Sequence, residues 1–201
     1  MARGKFQRSR VYFDGLGVEK NYIQALSLFR QAAEQDNAQA LCMLGKCYES
    51  GNGVVKDMAQ ALQYYHQAAE LGDADAQTCL GRCYMYGKGV PKNLRTAKDW
   101  LQMASNDGDE LTHFLLAETY YALYIRDELG IDAMTIAKVI PFVNFGAFAI
   151  DGISRLGDAD KTRTFLRTEE GAEMIRHYKI AAELGHEGAK KKLEMFRAYG
   201  V

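Results

Sequence analysis

The stretch Tyr48-Glu49-Ser50-Gly51-Asn52-Gly53-Val54 decides how this chain folds. Its pattern occurs twice more, as Tyr12-Phe13-Asp14-Gly15-Leu16-Gly17-Val18 and as Tyr84-Met85-Tyr86-Gly87-Lys88-Gly89-Val90. The leading tyrosines, Tyr12, Tyr48 and Tyr84, keep a constant interval of 36 residues. Downstream, Ala25, Ala61 and Ala97 stay in step, as do Ala32, Ala68 and Ala104. A fixed period of about 20–50 residues is the signature of stacked repeats. Each such unit buries its apolar face only against its neighbours, so the expected product is an extended surface rather than a cleft.

Within one unit, Ala40, Leu44, Cys47 and Tyr48 recur at helical spacing and predict an amphipathic helix over 40–50. Gly45 sits inside it, as Gly81 does one unit later. A mid-helix glycine costs roughly 0.5–1 kcal/mol relative to alanine, so its recurrence predicts a close helix–helix approach. Gly51-Asn52-Gly53 ends the helix, with positive φ expected at one or both glycines, and Val54 plugs the turn into the core. Asp57 is placed to cap a second helix over 58–71, whose buried stripe is Ala61, Leu62, Tyr65, Ala68 and Ala69. Gly72 closes the unit, and Asp73-Ala74-Asp75-Ala76 opens the next. The expected unit is a helix hairpin.

The pattern Ala-x-x-x-Leu-Gly-x-x-Tyr-x-x-Gly-x-Gly-Val, followed by Tyr-Tyr and Ala-Ala-Glu-x-Gly, resembles the Sel1-like repeat, a relative of the tetratricopeptide repeat with a longer inter-helix loop. The likeness is strongest over 40–72 and 76–108. It is good over 4–36, where Arg8-Ser9 replaces the Leu-Gly pair. Beyond 110 it decays. Leu116 and Tyr120 keep phase in a first helix over 111–124, followed by a loop at 125–130. A second helix over 132–140, cut by Pro141, and a degenerate first helix over 142–156 are then expected. After a loop at 157–168, Tyr178 and Ala181-Ala182-Glu183-Leu184-Gly185 restore the second-helix signature. Lys190, Lys191, Lys192 and Arg197 fit a polar capping helix over 188–198. The expected fold is all-α: one α/α solenoid, a superhelix of about five stacked hairpins (4–39, 40–75, 76–110, 111–146 and 147–187) with a cap at 188–199. The repeat starts at the first residues without a polar cap, so further sequence upstream and end-to-end self-association are expected.

The resemblance implies that first helices line the concave side. Carried over by position, Arg10, Lys46, Arg82 and Glu118 face the groove, followed along the same face by Phe13, Glu49, Met85 and Tyr121. Preceding them are Phe6, Cys42, Thr78 and Phe114. Arg10, Lys46 and Arg82 would make a basic row able to grip carboxylates of an acidic–apolar partner, Arg with two hydrogen bonds. A second candidate surface is the apolar run 139–150, Val-Ile-Pro-Phe-Val-Asn-Phe-Gly-Ala-Phe-Ala-Ile. It is too short and interrupted for a bilayer, which needs about 20 apolar residues.

Net charge is −1, which gives no global field for nucleic acid or anionic membrane. The N-terminal Met1-Ala2-Arg3-Gly4-Lys5 shows no apolar signal segment. Cys42, Cys47, Cys79 and Cys83 all fall on first helices, form no Cys-x-x-Cys, and read as small core residues. No catalytic residue, metal set or cofactor is expected. His66, His113, His177 and His186 are scattered, and Gly51-Asn52-Gly53 follows a helix rather than a strand. A cysteine-rich, secreted branch of the resembled family has been described as penicillin-binding. Its ladder positions here hold Ala33, Leu41, Ala69 and Gln77, so that activity is not expected. The function expected is a non-catalytic scaffold that holds another protein. The narrower alternative is an immunity protein neutralising a toxin, a use some relatives have.

Overall fold

The computed structural model describes residues 2–129, 159–197 and 199–200. These contain ten α-helices and no strand. The chain divides into two compact units that meet in sequence at Asn106 and Asp107.

The first unit is three hairpins: α1 (Ala2–Asp14) with α2 (Tyr22–Ala33), α3 (Ala38–Ser50) with α4 (Met58–Glu70), and α5 (Ala74–Tyr86) with α6 (Leu94–Ala104). Each helix packs on the next in sequence. Short polar side chains start them. The Asp57 carboxylate accepts from Ala59 N and Gln60 N at 2.9 and 3.1 Å, and Asn21, Asn37, Asp73 and Asn93 cap in the same way. Left-handed glycines stop the first helices. Gly51 (φ 81°) and Gly87 (φ 69°) hold matching corners of adjacent hairpins and donate back to Cys47 O and Cys83 O. The recurrent mid-helix glycines are close approaches. A Cβ on Gly45 would lie 2.5 Å from the Tyr65 ring, and one on Gly81 would lie 2.5 Å from Leu101 Cγ. The expected stripe of Ala61, Leu62, Tyr65, Ala68 and Ala69 is buried, packed with Leu41, Ala76 and Leu80 from the flanking first helices.

The second unit contains α7 (Glu110–Leu129), α8 (Ala159–Leu166), α9 (Glu169–Glu183) and α10 (Glu187–Arg197). Here the structure departs from the expected layout. The loop placed at 125–130 is helical through Leu129, because Tyr124 and Ile125 are buried and the apolar face continues past the usual stop. The loop placed at 157–168 contains α8, whose Phe165 stacks on Tyr124 at 3.9 Å. The helix paired with α7 is α9, the next described helix to carry the second-helix signature. Expected helices over 132–140 and 142–156, and the apolar run 139–150, lie outside the described residues. The cap α10 is not uniformly polar, since it buries Ala189 and Phe196, and its Lys192 is only 5% exposed.

Two histidines meet between α7 and α9. His113 Nδ1 lies 2.9 Å from His177 Nδ1, so one ring donates and the other accepts. Tyr120 also stacks on His177, with ring centroids 6.3 Å apart. Burial pushes His177 down to about 4, helped by His113 and Arg176 and opposed by Glu173. Burial also lowers His113, helped by Arg176 and opposed by Asp109. Both folded values lie below that of the unfolded chain, which therefore takes up protons first on acidification. The resulting stability is complete above about pH 6.5 and is lost as pH falls toward 4, an upper bound of about 3 kcal/mol for His177. Protection factors at α9 amides, referenced to the intrinsic exchange rate at each pH, should fall over that window, and His177→Leu should flatten the dependence. An unchanged pH profile in the variant would show that the pair does not set it.

Candidate functional site

The first helices of the first unit, α1, α3 and α5, share one face. Phe6 and Arg10 from α1, Gln39, Cys42 and Met43 from α3, and Asp73, Ala74 and Asp75 at the start of α5 line a hollow of about 260 Å³. Its lining is mixed: apolar Phe6, Met43 and Ala74, the cationic Arg10, and the carboxylates of Asp73 and Asp75. The sequence thus placed Arg10, Phe6 and Cys42 together, and the structure adds Gln39, Met43, Asp73 and Asp75 to them.

The three basic residues are not bare charges. Arg10 Nε pairs with Asp14 one turn along at 2.8 Å. Lys46 Nζ reaches Asp75 on the next hairpin at 2.8 Å. Arg82 Nη2 holds both Glu49 oxygens at 2.9 and 3.1 Å, and the Tyr65 hydroxyl donates to Glu49 Oε2 at 2.7 Å. Burial, with Cys79 and the Glu49 carboxylate beside it, pushes the Tyr65 phenol well above its ordinary range. The hydroxyl therefore stays a donor and Glu49 the acceptor. Glu49 is thereby fixed by the second helix of its own hairpin and by the first helix of the next. Asp75 and Asp14 were missed as partners. Asp75 was visible in Asp73-Ala74-Asp75-Ala76, but nothing in the spacing shows that it reaches back across a hairpin.

The remaining groove positions are occupied within their own units. Phe13 packs edge-on against Tyr22 and Phe29, at 5.3 and 5.9 Å. Met85 is 6% exposed and belongs to the core rather than to an open groove. In the second unit Phe114 stacks on His186 at 4.0 Å, and Tyr121, 4% exposed, meets Phe196 edge-on. Glu118 accepts from the Tyr178 hydroxyl at 2.6 Å and pairs with Lys192 Nζ at 2.8 Å. Lys192 also lies over the Tyr121 ring, 5.0 Å from its centroid. A first-helix carboxylate, a second-helix tyrosine and a cation from the following first helix thus form the same triangle in both units. Buried as they are, Tyr121, Met85 and Glu118 hold the fold and are not presented as free contacts.

Among the described residues no group of three or more His, Cys, Asp or Glu side chains is arranged to hold a metal ion. No described helix is long and apolar enough to cross a membrane.

A family profile for the Sel1 repeat matches residues 3–37, 38–73, 74–109 and 175–186. The chain belongs to the Sel1 repeat family. Sel1 repeat proteins are in general scaffolds for protein–protein interaction. The fold is similar to that of a Sel1 repeat protein from Oxalobacter formigenes, with a TM-score of 0.66 and 23% identity over 98% of this chain and 45% of the other. It is also similar to c5321, a protective antigen of uropathogenic Escherichia coli strains with an SLR fold, with a TM-score of 0.56 and 22% identity over 100% of this chain and 53% of the other. A looser likeness, with a TM-score of 0.47 and 18% identity over 94% of this chain and 67% of the other, links it to the immunity protein Pa5087 of Pseudomonas aeruginosa. The chain spans about half the length of the first two solved structures. No curated protein matches it.

Proposed function

We propose that this Sel1 repeat protein is a non-catalytic scaffold that holds another protein against the face made by α1, α3 and α5. One observation supports this reading above others: three successive hairpins contribute side chains to a single shallow hollow. Its apolar lining provides burial, while Arg10 and Asp75 are held in exposed ion pairs and available to re-pair with a partner. That arrangement favours recognition over turnover, because proximity of Phe6, Gln39 and Asp75 positions no reacting bond. Because Asp73, Asp75 and Arg10 line the same hollow as Phe6 and Met43, the fitting partner surface is mixed in charge, with an apolar side chain among its contacts. This differs from the acidic partner that a bare basic row would suit.

The test separates affinity from folding. The Lys46–Asp75 pair is solvent-exposed, with Asp75 at 68%, and contributes less than about 1 kcal/mol to stability. Lys46→Glu should therefore leave the melting temperature almost unchanged while weakening partner capture at least tenfold. Gln63→Glu, on the exposed face of α4, should change neither. Partner affinity measured on both variants checks this, and equal affinity for Lys46→Glu and the parent would remove the face from consideration. The protein recovered on the parent chain shows whether the client is a general one or a toxin.

A further inference from the structure

The net charge of −1 conceals a split within the first unit. Consecutive helices that pack on each other across short connections run antiparallel. The loops inside the hairpins, 15–21, 51–57 and 87–93, therefore lie at one end of the helices, and the turns between hairpins, 34–37 and 70–73, lie at the other. A helix of 12 or 13 residues holds those ends about 20 Å apart. The turns carry Glu34, Asp36, Glu70 and Asp73 and no cation. The loops carry the exposed lysines Lys20, Lys56, Lys88 and Lys92 against Glu19 and Asp57. The Asp57 carboxylate is already engaged by the N–H groups of Ala59 and Gln60, and Lys88 lies 4.0 Å from Glu49. Lys20, Lys56 and Lys92 keep the 36-residue interval and sit beside the left-handed glycines. A Cβ on Gly15 would lie 2.7 Å from Lys20 Cγ, and one on Gly51 or Gly87 would lie 3.5 Å from Lys56 Cβ or Lys92 Cβ. The loops also abut their neighbours. A Cβ on Gly53 would meet the Tyr22 carbonyl at 2.7 Å at the start of α2, and one on Gly89 would meet Met58 Cβ at 3.1 Å at the start of α4. Apolar side chains protrude from the same edge: Leu16, Val18, Ile23 in the first turn of α2, Val55, and Tyr86 at the end of α5, exposed from 43% for Val18 to 86% for Val55.

We propose that this loop edge of the first unit docks onto an anionic lipid bilayer, with the lysines among the headgroups and Leu16, Val18, Ile23 and Val55 entering the interfacial layer. Charge sets the orientation. A negative surface attracts the lysine-bearing end and repels the carboxylate-bearing end, so the loops turn toward it. The apolar side chains decide between lipid and protein. Leu16, Val18 and Val55 stand on protruding corners, where a protein partner would need a fitted pocket for each. A lipid interface takes such side chains without one, and binding grows with the apolar area it covers. Tyr86 adds an amphipathic ring of the kind that favours the headgroup level. The hollow of the protein-binding face lies elsewhere, lined by residues at the starts of α3 and α5, toward the turn end. The inference therefore stands apart from the protein-binding reading, and the two contacts do not compete.

Co-sedimentation of the full chain with phosphatidylcholine vesicles containing about 30% phosphatidylserine tests this. The parent should bind them, and should bind vesicles of phosphatidylcholine alone at least about tenfold more weakly. Lys20→Gln, Lys56→Gln and Lys92→Gln combined should lower affinity for the anionic vesicles by at least about tenfold. Leu16→Ser with Val55→Ser should lower it severalfold. Leu71→Ser with Met103→Ser removes two equally exposed apolar side chains at the turn end and should leave it unchanged. All of these positions are exposed, and circular dichroism checks that the variants stay folded. On the vesicles, emission from Val55→Trp should shift to the blue and emission from Leu71→Trp should not. A parent chain that stays in the supernatant, or equal affinity of the Leu16/Val55 and Leu71/Met103 variants, would overturn the proposal. Retention on immobilised polyglutamate with the vesicles ignored would also overturn it and assign the edge to an acidic protein.

Discussion

Replacing Glu118 with alanine is expected to cost the second unit about 3–5 kcal/mol, because it strands a buried cation. Lys192 is 5% exposed and pairs with Glu118 Nζ-to-Oε1 at 2.8 Å. The Tyr178 hydroxyl loses its acceptor in the same substitution. The Tyr121 ring, 5.0 Å from Lys192 Nζ, still offers a cation–π contact worth about 2 kcal/mol for a desolvated cation, which offsets only part of the loss. Removing both charges should behave differently. Glu118→Gln with Lys192→Met keeps an acceptor for Tyr178 and leaves no unpaired ion, so it should recover most of the loss. Hydrogen exchange at α7, α9 and α10 amides reads the effect locally, which matters in a chain with two units. Equal destabilisation by Glu118→Ala and by the double variant would mean that lost packing, not the stranded charge, governs the site. The contrast with Lys46–Asp75 is instructive: the separation is 2.8 Å in both, and only burial makes one pair ten times more sensitive to truncation in free-energy terms than a weak surface pair of about 0.3 kcal/mol.

Local rules were legible in the sequence because their determinants are local. Asp57 caps α4 and Gly51 takes φ 81° since each acts on atoms within a few residues of itself. The buried stripe on α4 follows from helical spacing alone. Pairing across hairpins was not legible. Glu49 meets Arg82 and Lys46 meets Asp75 over separations that no periodic pattern encodes, so three engaged cations read as a free basic row. Counting helix faces also placed Met85 and Tyr121 in the groove, whereas packing from neighbouring helices buries them. The α7–α9 hairpin was hidden for a related reason. Tyr178 and Ala181 carried the second-helix signature, but the expectation of a short connection assigned α7 a nearer partner. The Tyr178–Glu118 bond at 2.6 Å, matching Tyr65–Glu49 at 2.7 Å, identifies the true pairing by its chemistry. The family relationship was legible because recurrence at a fixed interval survives even where single residues drift.

Gly45→Ala and Gly81→Ala should each destabilise the first unit by about 1–3 kcal/mol, although alanine is the better helix former. The propensity gain is at most about 1 kcal/mol. Against it stands overlap. The new Cβ at position 45 would lie 2.5 and 2.6 Å from Tyr65 Cε1 and Cδ1. Tyr65 is fully buried and its hydroxyl is tied to Glu49, so the ring cannot swing aside without breaking that bond. At position 81 the Cβ would meet Leu101 Cγ at 2.5 Å and Cδ2 at 2.9 Å, with Ala97 O at 3.3 Å behind them. Leu101 is fully buried in α6, so relief requires α5 and α6 to separate. Gly17→Ala is the control. It imposes the same residue at φ 74° in a spot with nothing within 4 Å, so it tests backbone strain without overlap and should cost about 1 kcal/mol. The single tryptophan, Trp100, lies half-buried on α6 against His66 and reports unfolding of this unit by fluorescence. If overlap is the cause, Gly81→Ala combined with Leu101→Ala should lose less than the sum of the two single substitutions, because removing Cγ and Cδ2 vacates the space the new methyl needs. Strict additivity would assign the glycine requirement to the backbone instead.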